Sequence, residues 1–296
     1  MGLGYEGWVK VDGKYALGTG ASVPRVRPRL ESAAGYGGQI KTPPSEIGIG
    51  LPYNYDYDVF DGNLSFEVSI DLLRDVLFDW VTDRQSPKEV EFSTRYNNQQ
   101  KFTNSFWSSI TLTGSAEAAI DGSVSFVALD RDIYSTGDFN DPDASKMGNP
   151  GDAPICSDSD FPPSLNPSSD PNQNPIPGWD VEITIGGNII EFITWSLSFS
   201  QDVVKFFACE VNTDPTEPKY LAVGPMTVVF SGTYVDSGFF DDSLDVIEVK
   251  ISPNAGSPVI MTLKRCENNQ GQDDLQPPDG LTVLECEYNV YEIEYV

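Results

Sequence analysis

Asn63-Leu64-Ser65-Phe66-Glu67-Val68-Ser69-Ile70-Asp71-Leu72-Leu73-Arg74-Asp75-Val76-Leu77-Phe78-Asp79-Trp80-Val81 changes hydrophobic rhythm at Ser69. Before it, apolar and polar residues alternate, the period of a half-buried strand. After it, Ile70, Leu73, Val76, Leu77, Trp80 and Val81 recur at helical spacing, while Asp71, Arg74, Asp75, Asp79 and Asp83 fall off that stripe. Ser69 suits the N-cap and Asp71 the first turn. Ser86-Pro87 stops the helix, which is expected over about 70–84. A stripe of this kind is a face that packs on a sheet.

Outward from this stretch the chain reads almost entirely as strand. Residues 35–62, rich in Gly, Pro, Tyr and Asp, suit a long loop or irregular strands. Residues 89–96 alternate polar with apolar. Ser108 to Ala119 and Ser123 to Asp130 flank Asp121-Gly122, a hairpin signal. In the second half, strands are expected at 181–185, 189–199, 220–234, 245–251, 259–266 and 281–295. Gly186-Gly187-Asn188 reads as a hairpin turn, and 203–209 as a short strand or helical turn. Half-exposed alternation of this kind fits antiparallel sheets with one wet face. The fold class expected is all-β, or β-dominated α+β: an antiparallel sandwich or barrel with one packed helix, plus a second β domain.

Composition narrows the function. The 296 residues contain no histidine, which removes Ser-His-Asp and Cys-His catalysis and most transition-metal sites. A carboxylate pair is the catalytic route left, and no such pair can be located among 45 acidic residues. No phosphate-binding loop, dinucleotide fingerprint or nucleophile elbow occurs. The expectation is a protein that is not an enzyme and has no cofactor or metal. Carboxylates two apart, such as Asp56 with Asp58 or Asp130 with Asp132, lack the remaining ligands of a calcium site and read as solvated turns. Cys156, Cys209, Cys266 and Cys286 form no C-x-x-C pair; Cys266 and Cys286 flank one loop and could face each other on adjacent strands, but in a reducing cytosol they read rather as small buried thiols. No apolar run is long enough for a membrane helix, and no signal peptide is visible, so the expectation is synthesis in the cytosol.

Charge is distributed unevenly. The net charge is -27, and a surface of that sign repels nucleic acid at close range. Residues 1–41 nevertheless hold six basic residues (Lys10, Lys14, Arg25, Arg27, Arg29, Lys41) against three acidic ones, so this segment is +3 and the remainder is -30. In Val23-Pro24-Arg25-Val26-Arg27-Pro28-Arg29 two prolines exclude a helix interior. On an extended path Arg25, Arg27 and Arg29 project together. The segment reads as a solvated edge strand or loop, as an arm docked on an acidic neighbour, or, less well, as a nucleic-acid contact. The organisation expected is a basic extended arm (1–41), a first β domain (42–134), a linker or long loop dense in Pro and Asp (135–178) and a second β domain (179–296).

One helix set between strands of an antiparallel β domain, over Gly62 to Trp80 and then Ser108 to Asp130, resembles the tail tube proteins of long-tailed phages and related viruses. The second half, from Trp179 to Ile251, looks like a further domain of that type. The resemblance rests on element order. It implies subunits whose sheets join into closed rings, stacked around a channel with an acidic lining through which DNA passes without specific binding. It further implies copies of the chain and other tail proteins as partners, location in the virion tail after assembly in the host cytoplasm, and no membrane contact. The alternative is a glycan-binding β-sandwich, assisted by calcium at Asp-rich loops.

Overall fold

A computed structural model of the protein describes residues 7–22, 25–26, 29–31, 54–56, 59–94, 98–135, 172, 174–206, 220–235, 245–252, 258–269 and 283–296. In chain order the strands are β1 (Gly7–Val11), β2 (Lys14–Ser22), β3 (Arg25–Val26), β4 (Arg29–Glu31), β5 (Asn54–Asp56), β6 (Val59–Glu67), β7 (Lys88–Thr94), β8 (Asn98–Ser115), β9 (Asp121–Ala128) and β10 (Asp130–Ser135). The second half adds β11 (Val181–Ile185), β12 (Asn188–Ile190), β13 (Phe192–Phe206), β14 (Tyr220–Val235), β15 (Asp245–Ile251), β16 (Val259–Asn268), β17 (Val283–Val290) and β18 (Glu292–Tyr295). Among the described residues, all strand pairings are antiparallel. The β-dominated class expected from the sequence is therefore the class observed.

The first half closes on itself. Strand β7 pairs with β1, β1 with β2, β2 with β6, β6 with β9, β9 with β8, and β8 again with β7. Closure removes the exposed edges that an open sheet would present. Val9, Val11, Phe66, Val90, Phe102 and Phe126 are buried in the core. Residues 7–22, expected within an extended arm, are thus barrel wall. Asp12 and Gly13 take positive φ (47° and 86°) and join β1 to β2 in a two-residue turn. That backbone geometry matches the twist of the strands it joins.

The helix spans 70–82. It starts with an α-turn (Ile70–Leu72), passes through π-helical Leu73–Phe78 and ends with α-helical Asp79–Thr82. The Ser69 side chain accepts a hydrogen bond from the Leu72 N–H at 3.2 Å, the N-cap its position implies. Every residue of the apolar stripe is buried, and so are Leu72 and Phe78. Trp107 in β8 donates its indole N–H to the Trp80 carbonyl at 3.0 Å, fixing the helix on the barrel.

The two halves share one apolar core. Strand β8 runs from the barrel into a second layer, where residues 109–115 pair with β13, β13 with β14, and β14 with β17. The order β12-β11-β15-β16-β18 makes the facing layer. The chain changes layers at Tyr291: Val290 pairs with Val228, whereas Glu292 pairs with Lys264. Residues 203–206 extend β13 as strand, beyond the last β8 pairing at Ser200. Most of the proline-dense stretch lies outside the described residues, but its end is docked. Ile176 is buried and exchanges main-chain hydrogen bonds with Val68 and Ile120.

Candidate functional site

The long strands β8, β13 and β14 alternate inward apolar residues with outward small polar ones, so their register determines two surfaces. The inward rows are core. Phe66, Gly122, Leu112, Leu197, Phe230 and Tyr288 form one, running from β6 through β9, β8, β13 and β14 to β17. The adjacent outward row is Glu67, Asp121, Thr113, Ser196, Ser231 and Glu287.

Two further outward rows lie on one side of it. The nearer is Ser65, Ser123, Thr111, Ser198, Val229 and Asn289, and the next is Asn63, Ser125, Ser109, Ser200 and Thr227. On the other side lie Ser115, Thr194, Thr233 and Glu285. At a strand spacing of roughly 4.8 Å, six strands make this face roughly 24 Å wide.

Hydroxyls dominate the face, carboxylates mark its two flanks, and none of these rows contains a Lys or Arg. Neighbouring strands exchange side-chain hydrogen bonds across it. The Asn63 amide donates to Ser125 Oγ at 3.0 Å, and Thr111 and Ser198 share a hydroxyl contact of 3.2 Å. Toward one end the face deepens into a shallow trough of about 400 Å³, with Thr113, Thr194, Ser231 and Thr233 in its lining and Asp121, Glu285 and Glu287 beside them. Burial and then the facing Asp121 carboxylate raise the Glu67 pKa above the ordinary glutamate value.

Such a face exchanges hydrogen bonds with water. Among the described residues, no group of three or more His, Cys, Asp or Glu side chains is arranged to hold a metal. Cys266 and Cys286 are both buried, and neither is in a disulfide. Cys286 donates its S–H to the Gly232 carbonyl at 3.5 Å, and burial pushes its pKa up to about 12.

The three arginines do not share one strand. Arg25 stands in β3 opposite Phe60, in the large sheet. Arg29 stands in β4 opposite Asp56, in a separate two-stranded sheet. Arg27 lies outside the described residues. Two other cations of the basic segment are paired within the chain, Lys10 with Glu91 at 3.4 Å and Lys14 with Asp75 at 3.1 Å.

The hydroxyl rows were a signal in the sequence that strand assignment alone passed over. Ser109, Thr111, Thr113 and Ser115 recur every second residue, as do Thr194, Ser196, Ser198 and Ser200. No family model matches the sequence, and no curated protein matches it.

Proposed function

We propose that the protein is a non-catalytic structural subunit that assembles with copies of itself into stacked rings, as in the tail tubes it resembles, with the hydroxyl face lining the channel. The observation that carries this reading is the composition of that face: six strands wide, rich in Ser and Thr, flanked by carboxylates and free of cations. Protein–DNA affinity comes largely from Lys and Arg neutralising phosphates and releasing counterions. A wall without them, flanked by carboxylates, lets a polyanion pass without sticking.

The glycan-binding alternative draws less support: the exposed aromatic rings described are Trp179, Tyr291 and Tyr295, and none lies in the rows of the hydroxyl face. Trp80, Trp107 and Trp195 are core residues, and Trp179 is the exposed exception among the indoles described.

Arg25, Arg27 and Arg29 are proposed contacts to an acidic surface of the adjacent subunit. A charge of -27 per copy opposes assembly, and raising salt to about 1 M shortens the Debye length to about 3 Å. Sedimentation velocity across a salt series therefore tests the reading, with negative-stain images of the fastest species. Rings or tubes that grow with salt are expected. Replacing the three arginines together by Ser should weaken assembly without unfolding the subunit. A species that stays monomeric throughout the series would overturn the reading.

A further inference from the structure

Away from the hydroxyl face, a pocket of about 340 Å³ opens where the helix end meets the inner faces of both layers. Its walls are apolar, formed by Phe78, Val81, Phe199, Val228 and Val290, with Met226 and Ile293 completing them. Tyr295 forms one side, its ring stacked on Phe78 at 4.7 Å and its hydroxyl 2.9 Å from Thr82 Oγ1. The volume lies in the range of small-molecule sites, which are mostly apolar with a few polar groups that orient the ligand.

One of those polar groups is Arg84. Lys10, Lys14, Arg74, Lys88, Lys101, Lys250, Lys264 and Arg265 each sit within 3.8 Å of a carboxylate. Arg84 has no carboxylate partner among the described residues. One guanidinium N–H donates to the Gly224 carbonyl at 3.1 Å, which anchors the side chain on the lining and leaves the rest of the planar fork for another acceptor. Beside an apolar pocket, a guanidinium with no carboxylate partner among the described residues is a ready site for an anionic group. The lining holds one carboxylate, Glu292, which is 3.6 Å from Arg265.

We infer that this pocket binds a small amphipathic monocarboxylate, such as a medium-chain aliphatic acid, with its tail against the apolar walls and its carboxylate on Arg84. A flat, two-oxygen anion matches the guanidinium fork. Glu292 disfavours a phosphate or other dianion, and a cationic head group would be repelled by Arg84. This site is independent of the assembly proposed above.

Calorimetric titration of the full chain with octanoate, 1-octanol and octylamine tests the inference. Octanoate should bind best. Arg84→Gln should weaken octanoate by roughly tenfold or more, as expected when a hydrogen-bonded charge is lost, and leave octanol unchanged. Arg84→Lys should recover part of the loss. Met226→Trp, at a half-buried position on the wall, should fill the pocket and abolish binding of both octanoate and octanol while the far-ultraviolet spectrum is retained. Absence of octanoate binding, octylamine binding as well as octanoate, or octanoate affinity unmoved by Arg84→Gln or by Met226→Trp would each overturn it.

Discussion

Leu77 and Asp79 stand two residues apart on the helix and separate its two environments. Leu77 is buried at 1% exposure, so Leu77→Asp places an unpaired charge in the shared core and should destabilise the fold by several kcal/mol, about 3 or more. Asp79 accepts from the Lys88 ammonium at 2.7 Å, and Lys88 also reaches Asp12 at 2.8 Å. Burial works against the charge on Lys88, but the two carboxylates prevail and its pKa lies above the ordinary lysine value. Because the Asp79 side chain is 56% exposed, Asp79→Asn should cost less than about 1 kcal/mol. Urea unfolding of both variants checks the contrast.

Glu67 gives a pH-dependent case at the same scale. Its folded-state pKa is raised, so the folded chain holds this proton to higher pH than the unfolded chain. The stability this confers is complete below the ordinary glutamate range and is lost as pH rises through the folded value. Above that value the ionised group faces Asp121, and the pairing is unfavourable. Glu67→Gln should therefore stabilise the protein at neutral pH, with the gain shrinking as pH falls from the raised folded value to the ordinary glutamate value. Unfolding measured across that range gives the sign directly.

Among the elements, the β8–β9 hairpin shows what local signals can and cannot reveal. Asp121-Gly122 reads as the turn, but the turn is 116–120 and Gly122 is a strand position. A Cβ there would lie 2.6 Å from Phe66 Cε2 and 2.8 Å from Val68 Cγ2. Gly122→Ala should thus cost about 1–3 kcal/mol through overpacking, which a thermal melt would register.

At Gly186-Gly187 the sequence reading holds, because positive φ values of 57° and 84° are local needs that glycine alone meets cheaply. The helix was legible for a similar reason: its cap and stripe lie within fifteen residues. Burial of Phe78 was not, since its partner Tyr295 is remote in sequence. The Asp12-Gly13 turn carried the same signal as other Asp-Gly hairpins, but the basic charge around it drew the reading toward an arm. Pro225 marks where β13 and β14 slip register between Gln201 and Val203, and proline in a strand belongs at such irregularities. The hydroxyl face becomes a site only when pairings between distant strands align its rows, so its parts were visible but their assembly was not.

At the scale of the molecule, one large core among the described residues joins a closed barrel to a two-layer extension. The ladder from β8 to β13 spans the junction, and no short connection specifies it. The proposed assembly depends on this continuity, because only a rigid junction would hold the hydroxyl face as one surface across both halves. Strong negative charge keeps free copies apart, and burial at subunit contacts must exceed that repulsion for rings to form. The most direct test is a cryo-electron microscopy reconstruction of the protein assembled at high salt. The account predicts closed rings in which Thr113, Ser196, Ser198 and Ser231 face the central opening. Rings that turn these residues outward, or preparations containing only dispersed monomers, would contradict it.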